Sequence, residues 1–130
     1  AAQAVCDLPV LCSMTIESDG SLFTGGNIFE AAAALESAGA SAVGINCSVG
    51  PEQLEAIVRT LASTVSVPVI AKPNAGMPQI DEQGQAVYSM SAPDFARHMK
   101  TLVDAGASIV GGCCGTTPEF IRCLADLLKS

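Results

Sequence analysis

Four consecutive strand–helix units, and with them an α/β fold around a parallel sheet, are what this sequence predicts. Short Val- and Ile-rich runs alternate four times with segments of helical periodicity, the pattern of parallel strands joined by helical crossovers. The strand runs are continuously apolar rather than alternating, as strands covered on both faces are. A ten-residue stretch also recurs. Ala38-Gly39-Ala40-Ser41-Ala42-Val43-Gly44-Ile45-Asn46-Cys47 matches Ala105-Gly106-Ala107-Ser108-Ile109-Val110-Gly111-Gly112-Cys113-Cys114 at an offset of 67 residues. Both copies run from a helix end through a strand to its tip.

The first strand is expected from Leu8 to Thr15. Its helix opens at Asn27, where Glu30 three residues on completes a capping-box pattern. Ile28, Ala32 and Leu35 lie on one helical face, and Gly39 closes the helix. The second strand is Ala42 to Cys47. Behind Gly50 the next helix starts with Pro51 at its first position, and Leu54, Ile57, Val58 and Leu61 form its apolar stripe. The third strand is Val67 to Lys72. A long connection from Ala75 to Met90 follows, either a lid over the strand tips or a surface excursion. Ser91 and Asp94 then cap a helix that carries Phe95, Met99, Leu102 and Val103 on one face. The fourth strand is Ser108 to Gly112, and a last helix opens at Thr117-Pro118 with Ile121, Leu124 and Leu128 turned inward.

Composition supports one domain with a real core: 49% of the 130 residues are hydrophobic and 15% charged, within the size of a single domain. Aromatics make up only 4%, so aliphatic side chains build that core. With 13 acidic against 6 basic residues and a net charge of −7, nucleic acid is not an expected partner, because phosphate binding needs clustered Lys and Arg. No apolar run approaches a membrane span, nor does the first segment read as a signal peptide. The expected location is cytoplasmic.

Six cysteines are present: Cys6, Cys12, Cys47, Cys113, Cys114 and Cys123. An ample core and the absence of an export signal favour reduced thiols over disulfides. Cys47 and the Cys113–Cys114 pair fall at the carboxyl ends of alternate strands, where parallel α/β folds collect their chemistry. In a closed (β/α)8 barrel, alternate strands contribute to the same layer, so these thiols would stand at one height. Three thiolates with one open position suit a catalytic zinc site. Packing roles are expected for Cys6, Cys12 and Cys123, and surface roles for His98, Glu17 and Asp19.

The segments Gly44-Ile45-Asn46-Cys47-Ser48-Val49-Gly50-Pro51, Pro73-Asn74-Ala75-Gly76 and Gly111-Gly112-Cys113-Cys114-Gly115-Thr116-Thr117-Pro118-Glu119-Phe120-Ile121 together resemble the signatures of the homocysteine S-methyltransferase domain. The likeness is greatest to its cobalamin-dependent branch and spans essentially the whole chain. It implies a (β/α)8 barrel that holds zinc through Cys47, Cys113 and Cys114. Asn74 is implied at the fourth metal position or in contact with substrate, with Asn46, Gly111, Gly112 and Gly115 shaping the site. The implied substrate is L-homocysteine, its thiol activated as a zinc thiolate. Methylcobalamin, presented by a corrinoid-binding domain, would supply the methyl group that yields methionine. The same cysteine signature occurs with betaine or S-methylmethionine as donor, so the donor stays open at this point.

A complete barrel of this kind takes about 250 residues. Residues 1–130 are therefore expected to be a single partial domain, the C-terminal half with strands five to eight. The missing N-terminal half-barrel would carry most groups that grip the amino acid. Two open strand edges predict self-association, or excision from a longer chain. A non-catalytic metal- or partner-binding module is the other reading, and a redox pair at Cys113–Cys114 a third, disfavoured by the strain of a vicinal disulfide.

Overall fold

The structure, a computed structural model, describes residues 1–130. In chain order the elements are β1 (Leu11–Met14), α1 (Ile28–Ser37), β2 (Ala42–Cys47), α2 (Glu55–Thr64), β3 (Val69–Pro73), β4 (Gln79–Ile80), β5 (Ala86–Val87), α3 (Ala92–Asp104), β6 (Ala107–Val110) and α4 (Pro118–Lys129). Strands β1, β2, β3 and β6 form one sheet in that spatial order, every pair parallel. The four expected units are all present. No helix is long and apolar enough to cross a membrane.

Local chemistry accounts for the helix ends. The side-chain oxygen of Asn27 accepts the N–H groups of Phe29 and Glu30, both at 3.0 Å, satisfying two donors that the first turn leaves unpaired. Asn27→Ala is expected to cost about 1 kcal/mol, read as a lowered midpoint in urea unfolding with the slope unchanged. Ser91 caps α3 by accepting the Asp94 N–H at 3.2 Å. The recurring Ala-Gly-Ala-Ser runs are helix exits. After α1 the N–H of Gly39 bonds Glu36 and that of Ala40 bonds Leu35, a Schellman arrangement that needs the left-handed backbone at Gly39, φ 95°. Gly106, φ 119°, closes α3 with its N–H on the Val103 carbonyl at 3.0 Å.

The core lies on one side of the sheet. Val43, Ile45, Val69 and Ala71 meet Ile28, Val58, Leu61, Phe95, Met99 and Leu102 in a single cluster of 21 buried residues. Side chains alternate along a strand, so the neighbouring row, Ser13–Gly44–Ile70 across β1 to β3 with Ile109 beyond it on β6, points the other way. None of these four belongs to the core cluster.

Four expectations need correction. The first strand is shorter than Leu8 to Thr15 and is not covered on both faces: Leu11 is 59% and Leu8 72% exposed. Strand β1 is an edge paired only with β2, and no element here covers its second face. Pro51 opens a three-residue 3-10 turn, Pro51–Gln53, and the α-helix begins only after it, at Glu55. The last helix turns Phe120, Cys123, Leu124 and Leu127 toward the core, leaving Ile121 and Leu128 exposed. Its dense packing against α3 selects one of two apolar stripes that share Leu124. Finally, β6 ends at Val110, so Cys113 and Cys114 lie in the turn beyond the strand rather than directly at its tip.

The long connection from Ala75 to Met90 forms an antiparallel hairpin of β4 and β5. Its tip is exposed, with Ile80 71% accessible. Its far end folds back, placing Met90 beside Gly76.

Candidate metal centre

Strand β3 is the frame on which the three thiols are assembled. Cys47 pairs with Pro73 in the β2–β3 register, and on the other side the N–H of Cys113 donates to the carbonyl of Pro73 at 2.8 Å. The two cysteine-bearing segments thus flank one residue and reach the same height, as the repeat predicts.

Every backbone group of the cysteine pair is engaged. The Cys113 carbonyl accepts the Thr116 N–H at 3.2 Å and the Thr116 hydroxyl at 2.6 Å. The Cys114 carbonyl accepts the Ala75 N–H at 2.9 Å. The Cys114 N–H donates to the side-chain oxygen of Asn74 at 3.1 Å. Cys47, by contrast, leaves its strand in the left-handed region, φ 58°, followed by Ser48 at φ 72°.

The sulfur of Cys47 stands 3.7 Å from that of Cys114, and the latter 3.9 Å from that of Cys113. All three lie within 4.8 Å of one another. Ligands about 2.3 Å from a tetrahedral ion are separated by roughly 3.8 Å, so the two edges that meet at Cys114 have the length of tetrahedron edges and the third, no longer than 4.8 Å, closes the triangle. Cys47 and Cys113 are half-buried and Cys114 is exposed, which leaves the fourth corner accessible. All six cysteines are free thiols. The donor set fits a soft or borderline divalent metal such as zinc.

Electrostatics divide the thiols. Burial works against ionising Cys47, but hydrogen bonds from Cys114 and Cys113, then from the Ser48 backbone and the Asn74 side chain, hold its pKa below the ordinary thiol value. Burial, and after it the neighbouring Cys47 and Cys114, push the Cys113 thiol up. Without a cation the cluster resists full ionisation, because adjacent like charges oppose one another.

Asn74 is buried, 4% exposed, and bridges the two thiol segments. Its amide nitrogen reaches the Ser48 carbonyl at 3.4 Å while its oxygen holds Cys114. An amide oxygen has a second lone pair, so this bond does not by itself exhaust Asn74 as a ligand. Asn46 is half-buried opposite Lys72. The Gly112 backbone lies against Thr116, where a Cβ would sit 2.7 Å from the threonine Cβ, and Gly111 lies beside the stem of Lys72. Cys12 and Cys123 pack against the core, whereas Cys6 is exposed on the lead-in and has no packing role; all three stay away from the cluster, as does His98 within α3.

Two residues at the site went unassigned from sequence. Tyr88, at the foot of the hairpin, lies on Gly115, where a Cβ would sit 2.6 Å from its Cδ2. Burial, and after it the adjacent Cys114, raise its phenol pKa. The only sequence signal was its position in the long connection. Ser48 lies within the Gly44–Pro51 motif, where nothing in its local sequence marks a role.

A sequence profile described as homocysteine S-methyltransferase matches residues 1–128. The methionine synthase of Mycobacterium leprae is 37% identical over 92% of this chain, and the match takes in 10% of that protein. In crystal structures, the homocysteine methyltransferase MmuM of Escherichia coli superposes in its oxidized form with a TM-score of 0.72 at 26% identity, over 96% of this chain and 38% of that one. Its metallated form gives 0.70 at 24% identity, over 95% and 38%, a likeness of fold. The chain therefore spans about a tenth of the curated relative and under half of the structural one.

Proposed function

This chain belongs to the homocysteine S-methyltransferase family, and from that membership we propose that it is the metal-bearing C-terminal half of a (β/α)8 barrel in a methionine synthase. The observation that carries the reading is the convergence of three sulfurs within 4.8 Å, with the two edges at Cys114 at tetrahedral spacing. Residues 1–130 are then one partial domain, supplying strands five to eight. The exposed Leu11 and Ser13 on β1 and the exposed Ile109 on β6, at the two open edges of the sheet, are surfaces that strands one to four would cover. The smaller share of each relative matched by this chain supports the same division.

In this reading Cys47, Cys113 and Cys114 would hold zinc, and the thiol of homocysteine would be the group it activates. Bound zinc acts as a Lewis acid that keeps an incoming thiol deprotonated at neutral pH. Three cysteine thiolates around a divalent ion leave the centre with a charge of −1, so electron density stays on sulfur and the substrate remains nucleophilic. Asn74, buried between the two thiol segments, brings a neutral amide beside Cys114. Tyr88 lies over Gly115 and narrows the approach beside Cys114. The methyl group comes from methylcobalamin on a corrinoid-binding domain and the product is methionine. Free thiols throughout are consistent with a cytoplasmic setting.

Residues 1–130 alone are expected to bind about one zinc per chain, as three-thiolate sites do, yet to transfer methyl groups negligibly. Turnover should appear when the N-terminal half-barrel is restored. The measurement is homocysteine-dependent methionine formation with and without that half. Robust turnover by the 130 residues alone would overturn the half-barrel reading, and absence of bound zinc in both preparations would overturn the metal reading.

A further inference from the structure

The conformation of Cys47 poses a question that the three sulfurs alone do not answer. Two successive non-glycine residues, Cys47 at φ 58° and Ser48 at φ 72°, occupy the left-handed region, which ordinary side chains avoid and which persists only where surroundings over-determine it. An extended backbone at Cys47 would carry the chain straight on from β2, and the thiol would no longer turn toward Cys114. Something must hold the turn.

Ser48 makes three contacts that do so. Its hydroxyl accepts the N–H of Ile16 at 2.9 Å, from the segment that follows β1. The same hydroxyl donates to the carbonyl of Asn46 at 3.1 Å, closing a ring around Cys47 itself. Its own carbonyl accepts from the side chain of Asn74 at 3.4 Å. Through Asn74, whose oxygen holds the Cys114 N–H, the turn is tied to the other thiol segment. Ile16 is 2% exposed, so its N–H has no water to turn to if the hydroxyl is removed.

We infer that Ser48 is a positioning residue of the metal centre: its hydroxyl fixes the left-handed turn that aims the Cys47 sulfur at Cys114, and so sets the third corner of the thiol triangle. The inference rests on the proposed metal reading. Ser48 is not one of the three clustered thiol residues. It acts through Cys47, as groups beyond the ligands orient the ligands in other metal sites.

The test compares Ser48→Ala, which removes the hydroxyl and keeps a side chain in the left-handed region, with Ser48→Gly, which removes the hydroxyl and relieves the backbone. Zinc affinity is measured on the purified whole protein by competition with a chelator. The intensity of the thiolate-to-cobalt charge-transfer band is measured after Co²⁺ substitution. Far-UV circular dichroism establishes that each variant is folded. Both variants are expected to bind zinc roughly 10–100-fold more weakly and to lose about a third of the charge-transfer intensity, one thiolate of three.

Wild-type affinity and band intensity in a folded Ser48→Ala would overturn the inference. So would full recovery in Ser48→Gly, which would reduce the position to a requirement on φ. If the unsubstituted protein itself shows no thiolate-to-cobalt band, the metal reading fails instead, and the two failures are told apart by that control.

Discussion

Cys47→Ser is expected to abolish stoichiometric zinc binding, and homocysteine methylation with it, while leaving the fold intact. The reason is geometric as well as chemical. Cys47 is the only ligand contributed by β2, and without its sulfur the remaining pair comes from adjacent residues of one turn. A serine hydroxyl is a far poorer partner for a borderline-soft ion than a thiolate. Because altering a group behind a ligand already costs about 10–100-fold in affinity, loss of the ligand itself is expected to exceed that, to at least about 100-fold. Elemental analysis of the whole protein, run beside Cys113→Ser and with thermal unfolding as a control, measures it. Equal zinc content in the wild type and both variants would remove these residues from the site.

Gly44→Ala is expected to destabilise the sheet strongly. A Cβ at position 44 would collide with the backbone of Ile70 on β3, standing 2.6 Å from its nitrogen and 2.7 Å from its carbonyl carbon as well as against the carbonyl oxygen. A rotamer change cannot relieve a clash with main chain, so the ladder between the two central strands must open. Overpacking costs of this kind run to about 3 kcal/mol, a sizeable share of the 5–15 kcal/mol that holds a domain together. The melting temperature should fall by on the order of 10 °C. Because Pro73 on β3 carries contacts to both thiol segments, zinc affinity is expected to fall as well. A shift under about 2 °C would show that the strands have slack at this point.

The order of elements was legible because each rests on short-range physics: apolar runs for strands, periodic stripes for helices, Asn27 and Ser91 as caps, Gly39 and Gly106 as exits. The convergence of Cys47 with Cys114 was legible from the repeat, since equal distances from equivalent helix exits bring the chain to equal heights on the sheet. What escaped depends on partners distant in sequence. Nothing near Ser48 announces that its hydroxyl will meet Ile16, and nothing near Tyr88 announces Gly115. Helix α4 offers one stripe through Phe120, Leu124 and Leu127 and another through Ile121, Leu124 and Leu128, and only its neighbour α3 decides between them. Pro51 suits the start of any helical turn, so it could not tell the 3-10 turn from the α-helix. The exposure of Leu11 reflects which strands lie beside β1, a property no local pattern encodes.

The dependence of both thiol segments on Pro73 reaches beyond ligand geometry. Bringing three flexible side chains to one point carries a heavy conformational-entropy penalty for a metal site that assembles only around its ion. Here the carbonyl of one proline between the two segments anchors the cysteine pair, and β-ladder pairing anchors the third, so most of that ordering is completed when the polypeptide collapses. Metal loading is therefore expected to be separable from folding: a chelator should strip the ion while far-UV circular dichroism stays unchanged, and loss of the helical signal on chelation would show the two to be coupled.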